Sequence, residues 1–334
     1  MITVGQVGLG YWGPNLLRNF QALPGALVKA VCDLEESALA RAKERHPHLI
    51  YTSVFEELLG DRDIEAIVVA SPAATHFGLA KAALEAGKHV FVEKPLALRV
   101  DEAETLIHLA DERRLVLMVG HLLLYHPAVA RLKEWLDGGE LGEIYYVYTE
   151  RRNLGQVRRD ENAMWSLAPH DISVALHLLG EMPVMVAAQG QAYLQSGIED
   201  TVFFTLRFAD GRLVHSHVSW LDPHKVRRLT IVGDRRMAVF DDVEPTEKLR
   251  LYDKGVDRMP EYSSYGEALT LRFGDIYVPR VEMQEPLRLE CQHFLDCIER
   301  GRRPRSDGQS GLQVLQVLHA LQQSLDSEGR LVRL

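Results

Sequence analysis

The chain has 334 residues, 46% of them apolar and 25% charged, with a formal net charge of −9. One core stops growing at about 250–300 residues, so two domains are expected. The acidic balance argues against nucleic acid held through a basic surface. Cys32, Cys291 and Cys297 form neither a metal-ligand spacing nor a disulfide framework, and no metal site is expected. No apolar run reaches about 18 residues and Met1 to Val7 carries no basic leader, so a cytoplasmic protein with no membrane segment is expected.

Strand-like and helix-like segments alternate through the first third, the pattern of βαβ units and a parallel sheet. Strands are expected at 2–7, 27–32, 49–51, 66–70, 89–92 and 115–119. Helices are expected at 14–22, 35–45, 54–59, 75–86 and 101–113. Residues 66–70 are nearly all apolar, as a strand buried on both faces should be. After Gly120 the pattern changes: a helix at 127–136, a tyrosine-rich strand at 144–150 and a helix at 171–179. Strands follow near 184–193, 201–208, 213–220, 226–232 and 237–240, joined in part by short turns that favour antiparallel pairing. Residues 253–284 show little periodicity, and two final helices cover 285–300 and 309–325. The fold class is therefore α/β, a doubly wound Rossmann sheet over 1–121, then an α+β domain over 122–334 with a largely antiparallel open sheet.

Gly8-Leu9-Gly10-Tyr11-Trp12-Gly13 follows the first strand and opens a helix. Glycine there permits the tight turn, close approach of a pyrophosphate and close helix packing. Asp33, twenty residues past Gly13, ends the second strand where a carboxylate accepts bonds from a ribose. With Glu35 and Glu36 behind it, a 2′-phosphate would be repelled, favouring NAD over NADP. Ser71-Pro72 leaves the fourth strand and His76 follows, read either as a cofactor contact or as an ordinary helix start. Glu93-Lys94-Pro95 ends the fifth strand, at the sheet edge where such domains bind ligands. A bound nicotinamide would bring positive charge near Lys94 and ease loss of its proton, against the alternative of a solvated loop lysine.

These motifs, with Gly87-Lys88-His89 and Ala168-Pro169-His170-Asp171 opening a helix, resemble the glucose-fructose oxidoreductase, inositol dehydrogenase and MocA-type oxidoreductases over nearly the whole chain. The resemblance implies NAD(H) or NADP(H) and hydride transfer at a secondary hydroxyl or ketone of a sugar or polyol. It implies Lys94 and His170 as catalytic residues and Gly8, Gly10, Tyr11, Trp12, Gly13, Asp33, Ser71, Pro72, His76, Glu93 and Lys94 as the cofactor site. It also implies an open second sheet that builds a homodimer or homotetramer. Gly120-His121, Leu124-Tyr125-His126-Pro127, Arg152-Asn153-Leu154-Gly155, Trp165-Ser166 and Glu285-Pro286-Leu287 look like the nucleotide-sugar branch. That branch is similar to UDP-N-acetylglucosaminuronate 3-dehydrogenases. Many relatives carry an Asp where Ser166 stands, four residues before His170, and a hydroxyl orients an imidazole without supplying charge.

Arg151, Arg152, Arg158 and Arg159 read either as a solvated loop or as an anchor for a diphosphate or carboxylate, with Lys225 and Arg227 behind them. Tyr125, Arg152, Asn153, Arg158, Ser166, His170 and Asp171 form the expected substrate set. His215 and His217 share a strand face and read as a packed or interface pair. The expected reaction is oxidation of a ring hydroxyl on a nucleotide-linked uronic acid or amino sugar by NAD. The alternatives are a free-sugar or polyol dehydrogenase, a ketosugar reductase, and a non-catalytic NAD-sensing module.

Overall fold

The computed structural model describes residues 1–258 and 269–334. The chain forms two compact units, one of residues 1–126 with 284–315 and one of 127–283 with 316–334. A single cut after residue 121 is what the sequence suggests; the division is instead discontinuous.

The first unit carries a six-stranded sheet of β1 (Ile2–Val7), β2 (Ala26–Cys32), β3 (Ile50–Thr52), β4 (Ala66–Val69), β5 (His89–Glu93) and β6 (Leu117–Gly120). Its order is β3-β2-β1-β4-β5-β6, and every pairing is parallel. Helices α1 (Gly13–Ala22), α2 (Glu36–Arg45), α3 (Phe55–Gly60), α4 (Ala73–Glu85) and α5 (Val100–Arg113) connect the strands. The order reverses between β1 and β4, and a doubly wound sheet binds ligand at that switch, beyond the carboxyl ends of its strands. The glycine turn, Ser71-Pro72, Glu93-Lys94-Pro95 and Gly120-His121 each follow β1, β4, β5 and β6 at that edge.

A 3₁₀ turn, Leu122–Tyr125, closes the first segment. The second unit begins with α6 (Pro127–Asp137), β7 (Ile144–Arg152) and α7 (Ala163–Leu179). It continues with β8 (Met185–Gln191), β9 (Thr201–Arg207), β10 (Leu213–Ser219), β11 (Val226–Gly233), β12 (Met237–Asp241), β13 (Leu249–Arg258) and β14 (Leu269–Tyr277). Then come α8 (Pro286–Arg300), which belongs to the first unit, α9 (Gly308–Asp326), and β15 (Val332–Arg333). The second sheet runs β14-β13-β12-β11-β7-β10-β9-β8-β15. It is mixed: β7 and β10 pair in parallel, and the other neighbours pair antiparallel.

Two expectations need correction. The stretch 253–284, read as lacking periodicity, contains most of the β13–β14 hairpin; residues 259–268 lie outside the described residues. A register shift between Tyr252 and Lys254 breaks the alternation that would have revealed the strands. The helix expected at 171–179 starts earlier, at Ala163. Asn162 caps it by accepting the Trp165 N–H at 3.1 Å, and Pro169 lies buried inside. The motif around His170 therefore sits within α7 rather than at its start.

Candidate active site

The turn after β1 is built for close approach. Gly8 has φ +98°, and a side-chain carbon there would meet the Ala70 carbonyl at 2.5 Å. A carbon on Gly13 would meet the Gly8 oxygen at 2.3 Å. Only glycine fits either position. Gly10, by contrast, has no neighbouring atom within 4 Å of where its side chain would begin, so its backbone is open to a ligand. Buried Gln6 pins the turn by donating from Nε2 to the carbonyls of Gly8 at 3.0 Å and Gly13 at 2.9 Å. No side chain caps the start of α1; Pro14 has no N–H and Asn15 donates to the Trp12 carbonyl at 2.9 Å, so the Gly13 N–H is the group of that turn left for an anion. Asp33 accepts N–H bonds from Leu9 at 2.5 Å and Glu35 at 2.8 Å, which fixes its carboxylate at the end of β2 with lone pairs left for a ribose. Tyr11 is exposed above the turn. Open backbone, uncapped helix start and anchored carboxylate fit a dinucleotide.

The neighbouring strand ends are tied to one another. Ser71 Oγ and Thr75 Oγ1 share a hydrogen bond at 2.7 Å. His76 is 1% exposed, and its Nδ1 and Nε2 meet the carbonyls of Pro95 at 2.7 Å and Ser71 at 2.9 Å. Burial holds this imidazole below its usual range, against the two carbonyl bonds that favour charge. The ring thus braces the loop carrying Lys94 and is buried away from any ligand, so its expected direct cofactor contact becomes an indirect one. Glu93 Oε2 accepts the Lys94 N–H at 3.3 Å and bonds the Trp12 side chain. Burial pushes the Glu93 carboxyl up to about 7, with Lys94 opposing. His121 is 1% exposed and burial, with Lys94 next, brings it down to about 3.

Tyr125, expected among the substrate residues, is 5% exposed. Its hydroxyl shares a bond with Ser306 Oγ at 2.9 Å, and Arg305 lies 5.2 Å from its ring centroid. It braces the 3₁₀ turn against residues 305–306 instead of facing a ligand, because its phenol is satisfied internally.

In the second unit His170 is half-buried on α7, and Ser166 lies one turn earlier on the same helix face. Asp171 is buried and takes both arms of the Arg151 fork, Nε at 2.8 Å and Nη2 at 3.0 Å. The two charges answer each other, so neither Asp171 as a substrate ligand nor Arg151 as an anion anchor survives. Arg152 bridges Glu150 at 2.7 Å and Asp222, and Arg158 meets Glu161 at 3.2 Å. The arginine cluster is therefore largely compensated locally, which its run of charge in the sequence hides. Asn153 is half-buried beside Gly155 after β7. Arg227 faces Asp242 at 3.9 Å. His217 and His215 bond Thr201 and Thr205, each at 3.1 Å. Among the described residues no group of three His, Cys, Asp or Glu is arranged for a metal ion, and no helix is long and apolar enough to cross a membrane.

Sequence reasoning passed over Glu290, and marked Gly120 only as part of a motif, without a role. A carbon on Gly120 would lie 2.9 Å from Glu93 Oε1, so its bare backbone makes room for that carboxyl. Glu290 is fully buried, and its signal was a carboxylate on the apolar stripe of Leu287, Cys291 and Phe294.

The dinucleotide cradle, with Lys94 at the strand edge beside it, is the arrangement of a nucleotide-dependent enzyme. Residues 2–121 match the oxidoreductase family with an NAD-binding Rossmann fold, and residues 129–239 match the GFO/IDH/MocA C-terminal domain. The UDP-N-acetylglucosamine 3-dehydrogenase of Acidithiobacillus ferrooxidans is 30% identical over 94% of this chain and 94% of its own. The myo-inositol 2-dehydrogenase of Thermotoga maritima is 26% identical over 100% and 98%. The solved structure of the A. ferrooxidans enzyme GnnA superposes with TM-score 0.82 at 26% identity, covering 98% of each chain. GenD2 from gentamicin A biosynthesis, solved in complex with NAD, shares the fold at TM-score 0.82 and 23% identity, covering 100% and 96%. The chain belongs to the GFO/IDH/MocA oxidoreductase family. It is an NAD(P)-dependent sugar oxidoreductase with an NAD-binding Rossmann domain.

Proposed function

We propose that the protein is an NAD-dependent dehydrogenase of a nucleotide-linked sugar, a uronic acid or amino sugar, oxidised at the ring 3-hydroxyl. The observation that carries this reading is the end-to-end likeness to a relative that acts on a UDP-linked N-acetylglucosamine at its 3-position. Bound NAD supplies the hydride acceptor. Gly10 and Gly13 would hold its pyrophosphate through backbone N–H groups in the turn that Gly8, whose own N–H donates to Cys32, allows, and Asp33 would hold its ribose. Lys94 polarises the substrate oxygen and His170 takes the hydroxyl proton, oriented by Ser166. Arg152, Asn153 and Arg158 are the proposed contacts to the anionic part of the substrate. Arg152 turns there from its present partners Glu150 and Asp222, or reaches the substrate jointly with them.

The same reading places the protein in the cytoplasm as a homodimer or homotetramer. The proposed contact is the sheet face carrying exposed Tyr146 and Phe203, where Phe203 stacks on His217 at 4.0 Å. A polyol substrate is the second reading, favoured by the likeness to an inositol dehydrogenase. A melting screen with NAD present separates them. A ligand at about 100 times its Kd stabilises by about 2.7 kcal/mol. UDP-linked amino sugars and uronic acids should raise Tm while myo-inositol and free sugars leave it unchanged; the reverse pattern overturns the first reading.

A further inference from the structure

Helix α8 carries a carboxyl into the core of the first unit. Glu290 is 0% exposed, and among the described residues neither of its oxygens has a hydrogen-bond partner. The packing beside it identifies what it faces. Phe294, one turn later on α8, meets Phe91 edge-on with centroids 5.7 Å apart and Phe20 at 6.2 Å. Glu290 lies about 6 Å from Phe294 along the helix axis. Glu93 lies two residues past Phe91 on the same side of β5, about 6.6 Å along the strand. The last turn of α8 lies at the amino-terminal edge of the sheet, Glu299 being 4.0 Å from the Met1 amine and Leu295 beside Gly25, so α8 runs antiparallel to β5 and the two steps bring Glu93 and Glu290 to the next layer beyond the Phe91–Phe294 contact. The charge of Glu93 is accordingly the one felt at Glu290 and at Cys291.

Glu93 sits against the open backbone of Gly120, its partner in register on β6, and takes hydrogens from Trp12 and the Lys94 N–H. Burial first, and then Glu93, hold Glu290 well above the usual carboxylate range. The charged groups beside the pair are Lys94, which acts on Glu93, and Arg305 over the Tyr125 ring; the remaining titratable neighbours are neutral near pH 7. Burial and Lys94 keep His121 uncharged, and burial pushes the Tyr125 phenol and the Cys291 thiol up. A buried carboxyl without a partner destabilises a fold, and an apolar side chain of similar volume would not. A carboxylic acid kept neutral by an apolar site can, however, donate a hydrogen bond that no apolar group offers.

We propose that Glu290 is a positioning residue that stays protonated and turns its acid O–H toward Glu93, so that the pair holds one proton and one negative charge directly behind Lys94. The pair titrates as a unit. Glu93 then presents a carboxylate to the Lys94 loop above about pH 7 and loses it as pH falls through that value. The proposal concerns the environment of Lys94, and its test needs neither NAD nor substrate, so it stands or falls separately from the proposed substrate.

The test is an infrared pH titration of the full ligand-free chain, following the C=O band of protonated carboxyls in wild type, Glu93→Gln, Glu290→Gln and Glu290→Leu. Wild type should keep a buried-acid band at pH 8 that is lost in Glu290→Gln. The band lost in Glu93→Gln should titrate near pH 7 in wild type and in Glu290→Gln, whose amide still donates. In Glu290→Leu its midpoint should rise by about one unit, a tenfold change in proton affinity. Glu290→Met serves the same arm if Glu290→Leu does not fold. A group whose folded pKa is raised loses stability for the protein as pH rises from the unfolded value. The Tm of Glu290→Gln should therefore equal wild type near pH 4 and exceed it increasingly towards pH 8. Absence of the acid band at pH 8, or an equal Glu93 midpoint in the Gln and apolar variants, overturns the proposal.

Discussion

The ion pair between Arg151 and Asp171 offers the sharpest test of how the second unit is held together. Both side chains are 7% exposed, and the guanidinium meets the carboxylate through two parallel bonds of 2.8 and 3.0 Å. The pair joins β7 to α7, the helix that carries His170 one residue earlier. Asp171→Ala strands a buried guanidinium, and breaking such a pair costs about 3–5 kcal/mol. In a unit of this size each kcal/mol moves Tm by roughly 2–4 °C, so a fall of about 6–20 °C is expected by calorimetry. The double variant Arg151→Met/Asp171→Leu removes both charges at similar volume and should recover most of that loss, since neutral replacement of a buried pair is often harmless. Urea titrations of wild type, Arg151→Met, Asp171→Leu and the double variant close the double-mutant cycle. A Tm for Asp171→Ala within a degree of wild type, or a double variant as unstable as the two single losses added, would refute the reasoning. A variant that melts normally but binds substrate poorly would return Asp171 to the substrate.

Asp33→Ala should narrow the preference for NAD(H) over NADP(H), measured by fluorescence titration. It should also loosen the glycine turn, because the Leu9 and Glu35 N–H groups lose their acceptor; equal binding of both cofactors by wild type would contradict the assignment. Lys94→Ala and His170→Ala should fold and bind NAD while turnover drops by about 10²–10⁴. The double variant should lose much less than the product of the single losses, since both serve one proton transfer. Near-normal turnover in either single variant would show that the wrong pair was named.

Much of the first unit was legible because its signals are local. Each strand of a parallel sheet is a short apolar run, each turn has its own chemistry, and the functional residues lie directly after strands. Gly8 could be recognised from order and spacing alone, and its positive φ and its 2.5 Å clearance from Ala70 are the physical cause. The second unit was less legible. Its sheet pairs strands distant in sequence, β7 with both β10 and β11, and a bulge masks the β13–β14 hairpin. The start of α7 was missed because Pro169 suggests a helix beginning, whereas the Asn162 cap and burial of the proline decide otherwise.

By itself, then, the sequence determined the Rossmann order, the glycine cradle, the Asp33 anchor and the position of Lys94 at a strand end, because propensity, periodicity and turn chemistry act between near neighbours. Only the tertiary structure decided which of the other polar residues remain available. Arg151 and Asp171 neutralise each other, Tyr125 binds Ser306, and His76 braces Pro95 and Ser71. Whether a charge is compensated or buried depends on partners from remote segments, such as the Glu290 that α8 brings beside the layer of Phe91 and Phe294. A side chain's type is local, but its solvation and its partners are set by the chain as a whole.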